Sequence, residues 1–310
     1  MKRIGNAVHL GTFEAGSPEW HAARAGAITG SRIAAVMGLS PWESRFSLWH
    51  RMAGMIGDEV ENDLMRWGKL LEPVVLGEYA RQHEVKLNTE PGTWRNASRP
   101  WQVANVDALR EGVPFVVEAK YSPMTDGWGE PGTDQVPVYY RAQCLWYLDT
   151  FGGPRHGHSR ADIAVFFGVS GYAEYHVDYS PDECALMRTE ARVFLDSLPS
   201  GDQPGIRPDL DAHSATYQTL RELHPDIDDE AIEVDRDLAT AYLDAIAGAK
   251  AAAAEKDRAS AALLDAMGRV RRACLDGVQI AMRVPGRAGN PPYLKHTPIK
   301  AAGQKVSTAA

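Results

Sequence analysis

NVDALREGVPFVVEAK, residues 105–120, is the segment from which the rest of the chain can be read. Residues 101–109 (WQVANVDAL) and 113–119 (VPFVVEA) have the apolar and β-branched content of two strands, and Arg110-Glu111-Gly112 between them reads as a tight turn. One strand ends in Asp107; the returning strand presents Glu118 and then Lys120. Side chains at i and i+2 of a strand share a face. Glu118 and Lys120 therefore project together, the hairpin brings Asp107 alongside, and Ala119 points the other way, into the core. Val116 and Val117 make the approach to Glu118 apolar, so charge is placed at the end of a buried strand. Two carboxylates and an ammonium on one face suit phosphodiester hydrolysis. Hard oxygen ligands fit Mg²⁺, which needs only one or two carboxylates. A bound metal acidifies water and neutralises phosphate charge, and a nearby lysine orients the water or stabilises the transition state. An exposed strand-edge pair beside a turn aspartate would give the same three letters, so the flanking segments matter.

Upstream, residues 62–84 place Leu64, Trp67, Leu71, Val74, Val75 and Tyr79 at helical spacing. Pro73 interrupts the pattern and predicts a kink or a break. This segment carries Glu72 within WGKLLEP, either a third carboxylate at the metals or a solvated helix residue. Downstream, 121–136 is rich in Gly, Pro and Asp and reads as a loop. Residues 137–150 read as a helix with Pro137 at its start. Gln143 and Tyr147, at i and i+4, share one face of it, as support for the hairpin or as core packing with a satisfied amide. Residues 17–53 read as helical pieces. One is Thr29–Met37, with Thr29 as N-cap and Gly38 as its stop, and a second runs from about Trp42 to Met52. Arg24, Thr29 and Ser31 set an arginine and two hydroxyls near a helix N-terminus, where anions bind readily; capping alone would also account for Thr29.

The remainder sets the domain plan. Residues 161–169 and 172–179 form a second strand pair around Ser170-Gly171, and 181–198 an amphipathic helix. PSGDQPGIRPDLDAHS (199–214) has the composition of a boundary. The plan is one α/β domain over 1–200, a linker over 201–233, and a mainly helical region over 234–310. That last region holds an Ala-rich helix or helical hairpin at 234–270 with Gly248 as a weak point, a short strand at 276–284 and a mobile tail from 285. A net charge of −8 argues against a broadly basic nucleic-acid surface, yet a basic groove can coexist with metal-binding carboxylates. Cys144, Cys184 and Cys274 are far apart and form no CxxC pair, which indicates neither disulfides nor structural zinc. No run approaches the ~20 apolar residues of a membrane span, and MKRIGNAVHLGTFEAG lacks a signal-peptide apolar region. A cytoplasmic protein with no membrane partner is expected.

Four motifs now stand in order: WHAARAGAITGSRIAAVMG (20–38), WGKLLEP (67–73), Asp107…Glu118-Ala119-Lys120, and QCLWY (143–147). Together they make residues 17–200 resemble the YqaJ-like viral recombinase family, phage alkaline exonucleases related to lambda exonuclease within the PD-(D/E)xK nuclease group. QCLWY matches the QxxxY signature of RecB-like nucleases. The resemblance implies an α/β restriction-endonuclease-like core, a central mixed sheet flanked by helices, with a C-terminal helical appendage. It implies Mg²⁺, with Mn²⁺ as a substitute, held by Asp107 and Glu118, with the Ala119 carbonyl as a further ligand and Glu72 at a second metal or its water. Lys120 would position or activate the water, Gln143 and Tyr147 would support the site and contact DNA, and Arg24 and Ser31 would bind a 5′-phosphate. The activity implied is 5′-to-3′ digestion of one strand of linear double-stranded DNA, leaving a 3′ tail for a single-strand annealing protein, by a homo-oligomer closed as a ring trimer in the host cytoplasm. ANVD replaces the Pro–Asp pair of many relatives, and the chain after residue 200 matches nothing mechanistic. A restriction- or repair-type endonuclease and a non-catalytic DNA-binding protein on the same fold are the competing readings. Arg24 and Ser31 bear on the first; retention of Asp107, Glu118 and Lys120 together argues against the second.

Overall fold

The computed structural model describes residues 2–58, 62–113, 115–286 and 289–297. They fall into two units, Met1–Ile227 and Asp228–Ala310.

In the first unit a four-stranded antiparallel sheet has the order β1 (Arg3–Ile4), β2 (Ala7–Gly11), β4 (Thr93–Asn96), β5 (Val103–Asn105). A five-stranded mixed sheet has the order β3 (Leu87–Asn88), β6 (Ala108–Arg110), β7 (Val116–Ser122), β8 (Arg160–Phe167), β9 (Gly171–Asp178). Its one parallel pair is β7 with β8, and helix α5 (Val138–Phe151) makes the crossover between them. Strand β7 is covered on both faces at its start, where the apolar Val116 and Val117 follow one another. Val117 and Ala119 pack on Val75, Leu76 and Tyr79 of helix α4 (Asp63–His83), while Val116 joins the larger core built around α5. Ala119 thus points away from Glu118, as a period of two requires. Helices α1 (Pro18–Arg24), α2 (Gly30–Val36), α3 (Arg45–Met52) and α6 (Pro181–Asp196) also belong to this unit.

Three expectations are corrected here. Residues 101–119 are not one hairpin. The chain leaves its strand after Asn105, and β5 and β6 belong to different sheets, so Asp107 lies at the switch between them. Pairing explains the break: the Asn105 amide donates to Thr93 Oγ1 at 2.7 Å, tying β5 to β4, whereas Ala108 is registered with Val117 on β7. Of the two outcomes expected at Pro73, the break does not occur: helix α4 runs on through it. Asn62 caps its first turn at 2.9 Å, and burial of Val75, Leu76 and Tyr79 offsets the backbone hydrogen bond that proline cannot make. The segment 201–233 is not a bare linker, since it contains helix α7 (Ser214–Leu223). Thr216 Oγ1 donates to Ser44 Oγ at 2.7 Å and a His213 ring nitrogen lies 3.1 Å from the Ser40 carbonyl, which ties α7 to the first unit.

In the second unit, helix α8 (Arg236–Met267) is continuous across Gly248. One glycine costs about 1 kcal/mol in a helix, too little to break so long an alanine-rich run. Strand β11 (Val278–Val284) lies between β10 (Arg272–Leu275) and β12 (Tyr293–His296) in an antiparallel sheet. The expected short strand has two partners, one of them inside the segment expected to be a mobile tail; residues 287–288 and 298–310 of that tail lie outside the described residues. No helix among the described residues is long and apolar enough to cross a membrane.

Candidate active site

Glu118 is 0% exposed. Its Oε1 accepts from the Lys120 ammonium and from Gln143 Nε2, the latter at 2.5 Å. Gln143 Nε2 also lies 2.7 Å from the Tyr147 hydroxyl, so the i, i+4 pair on α5 acts on the strand as one unit. Gly30 at the start of α2 makes room for this: a Cβ there would stand 2.3 Å from the Tyr147 ring. Asp107 reaches the same place from the sheet junction, its Oδ2 accepting the Ala119 N–H at 2.8 Å. Glu72 projects from α4 into a cleft of about 390 Å³ that Asp107 also lines, together with Phe13, Glu14, Glu90 and Asn105. All the residues of the expected catalytic set are thus brought to one region.

The electrostatics are those of an anionic site short of cations. Burial, reinforced by the Asp107 charge, pushes Glu118 up to about 8. Burial also raises Asp107, against the pull of Lys120 and the Ala119 N–H. Glu72 is raised to about 7 by burial and then by Asp107. Burial opposes the Lys120 charge, but Glu118 and Asp107 outweigh it and hold the ammonium well above the usual lysine value. Among the described residues, Glu118 Oε2 has no hydrogen-bond partner. A buried carboxylate oxygen without a donor, beside a second desolvated carboxylate, is costly unless a cation arrives. The donor set is all oxygen, which fits a hard divalent ion. Among the described residues, no three His, Cys, Asp or Glu side chains surround one ion position. Glu72 lines the cleft without closing on Asp107 and Glu118 as a third ligand.

A second cluster adjoins the first through Tyr147. Arg24 Nη2 donates to Thr29 Oγ1 at 3.3 Å and to Ser31 Oγ at 3.4 Å, and the two hydroxyls are 3.0 Å apart. The guanidinium stacks 3.6 Å over the Trp20 ring. Thr29 stands at the N-cap position of α2, but its side chain makes no capping bond. Its hydroxyl serves the arginine instead, which corrects the capping expectation. Arg24 is pushed down to about 10 by burial and then by Arg32, and its Nε is buried without a partner among the described residues. Two neighbouring, desolvated guanidiniums call for an anion. Arg32 is the addition the sequence reading missed; its signal was a second arginine directly after Ser31 in TGSR.

Asp149 holds α5 in place. Its carboxylate accepts from Arg188 at 2.6 Å, Gln102 at 2.9 Å, and Arg99 and Tyr179 at 3.0 Å.

A mixed sheet flanked by helices, with Asp107 at the junction of two sheets and Glu118-Ala119-Lys120 on the strand beside it, is the arrangement expected from the resemblance to PD-(D/E)xK nucleases. Residues 19–153 match the model of the YqaJ-like viral recombinase domain. The uncharacterized protein YqaJ of Bacillus subtilis (strain 168) is 24% identical over 207 residues, which is 66% of this chain. The match spans 62% of that relative, under two thirds of its length. Among solved structures, the alkaline exonuclease LHK-Exo from Laribacter hongkongensis is 22% identical with a TM-score of 0.46, covering 58% of this chain and 91% of that one. A phage-related exonuclease from Haemophilus somnus 129PT is 11% identical with a TM-score of 0.42, over 55% of this chain and 93% of its own.

Proposed function

We propose that the protein is a metal-dependent deoxyribonuclease that digests one strand of linear duplex DNA from 5′ to 3′ and leaves a 3′ single-stranded tail. The observation that carries the reading is Glu118, buried, with one oxygen bound by Lys120 and Gln143 and the other left for a cation. Asp107, Glu118 and the Ala119 carbonyl would hold Mg²⁺, or Mn²⁺ in its place, with Glu72 serving a second ion or its water. When bound, the metal supplies an acidified water and neutralises charge on the phosphate. The Lys120 ammonium is bound to Glu118. It would position or activate the attacking water and stabilise charge on the phosphate. Gln143 fixes the Glu118 carboxylate, and Tyr147 fixes Gln143. Arg24 and Ser31, joined by Thr29 and Arg32, receive a terminal 5′-phosphate and so make cutting depend on an end. An annealing protein that takes the 3′ tail, and self-association as a ring trimer, belong to the same proposal.

The deciding experiment incubates the protein with Mg²⁺ and either linear or covalently closed circular duplex DNA. Degradation of the linear form alone, faster with a 5′-phosphate than with a 5′-hydroxyl, is expected, with Arg24→Ala removing that preference. Cutting of the circle would replace the reading with an endonuclease. Binding without cleavage of either form would replace it with a non-catalytic DNA-binding protein.

A further inference from the structure

A row of aromatic rings leads from the carboxylate cluster to the surface. The Lys120 ammonium lies 5.1 Å from the centroid of the Tyr140 ring. Tyr140 meets Tyr139 edge-on at 4.5 Å, and Tyr139 meets Trp42 edge-on at 4.8 Å. The inner end is anchored, since Tyr140 also packs at 5.5 Å on the buried Trp128. The outer end is open: Trp42 is 50% exposed. Its loop, between α2 and α3, is nevertheless fixed. Ser40 Oγ accepts the N–H groups of Trp42 and Glu43 at 3.2 and 3.1 Å. The Ser40 carbonyl is in turn held at 3.1 Å by His213. A single exposed apolar side chain needs no explanation. A row joined ring to ring with the lysine of the site does.

We propose that Trp42 and Tyr139 form a stacking platform for the nucleobase next to the phosphate being cut. This rests on the nuclease reading. Aromatic faces hold unpaired bases without regard to sequence. A phosphate seated at Asp107, Glu118 and Lys120 leaves the adjoining base beside this row, which offers it a face in place of its former stacking neighbour. Neither ring touches the reacting atoms, so both are positioning residues, and they keep the reacting strand out of the duplex while Lys120 works.

The test uses a linear duplex carrying 2-aminopurine at the nucleotide next to the first scissile phosphate, and a matched duplex with an abasic site there. Binding to the wild type quenches the 2-aminopurine fluorescence, and Trp42→Ala and Tyr139→Ala lose the quench. In both variants KM rises roughly 5- to 100-fold with a much smaller change in kcat, and Trp42→Phe recovers most of it. The abasic duplex raises the wild-type KM by a similar factor and leaves Trp42→Ala unchanged. If Trp42→Ala and Tyr139→Ala quench and cut as the wild type does, or the abasic site acts equally on all, the platform is wrong. Quenching without cleavage keeps the platform and removes the nuclease reading. Cleavage with neither effect does the reverse.

Discussion

Lys120 and Glu118 are two positions apart on one strand and bound to each other, and this pairing sets what each can do. Bound to Glu118, the Lys120 ammonium brings a donor to the site. Lys120→Ala is therefore expected to cut DNA at least about 10²- to 10³-fold more slowly, the scale seen when one transition-state donor is removed, with binding of the same DNA nearly unchanged in a gel-shift assay. Normal cleavage by that variant would remove the proposed site. The carboxylates carry a second prediction. Glu118 and Glu72 sit at about 8 and about 7, above their ordinary 4.5. Raised carboxylates bind more protons folded than unfolded, so their contribution to stability is present at acid pH and lost as pH climbs from 4.5 through about 8. A metal binds only the deprotonated form. The rise in melting temperature on adding Mg²⁺ should therefore grow between about pH 6 and about pH 9, as ligand protons cease to compete. A thermal-shift series in which the metal effect is flat across that range would contradict the assignment of these groups as ligands.

At the scale of elements, helix α5 and the start of α2 are one device. Tyr147 braces Gln143, Gln143 holds Glu118, and the Tyr147 ring occupies the space where Gly30 has no side chain. Gly30→Ala forces the ring or the helix to move. A cost of about 1–3 kcal/mol is expected for such overpacking, read by urea denaturation. A fall in cleavage rate larger than the stability loss explains is also expected, because Glu118 loses its brace. Wild-type rate and stability together would show that the close approach is incidental. Much of this was legible in the sequence. The strand period placed Glu118 with Lys120 and Ala119 opposite, and the helix period placed Gln143 with Tyr147. The contact between Gly30 and Tyr147 was not, because it joins residues more than a hundred positions apart.

Across the whole molecule, the buried hydrophobic clusters around both faces of the mixed sheet lie within residues 1–227. Helix α7 belongs with them through Thr216 and His213. A chain ending at Ile227 should fold cooperatively and keep the Mg²⁺-dependent thermal shift, whereas one ending at residue 200 exposes the α3 surface that α7 covers and should melt lower. If the longer truncation failed to fold, the site would depend on the second unit. The sequence reading ended the domain at 200 because Pro, Gly and Asp dominate 199–214. Composition registers where a chain lacks regular structure, and it does not register that the next ten residues return to pack.

By itself, the sequence determined what neighbouring residues impose on each other. That includes the faces of β7 and α5, the mixed strand-and-helix order, and the four motifs that carry the resemblance. These follow from backbone geometry repeated every two or every 3.6 residues. Only the tertiary structure decided the rest. It set Asp107 at the junction of two sheets, turned Glu72 into the same cleft, and put Arg32 beside Arg24. It also lined up Trp42 and Tyr139 with Lys120. Each of these depends on which distant segments pack together and on how much water that packing removes, and no local period carries that information.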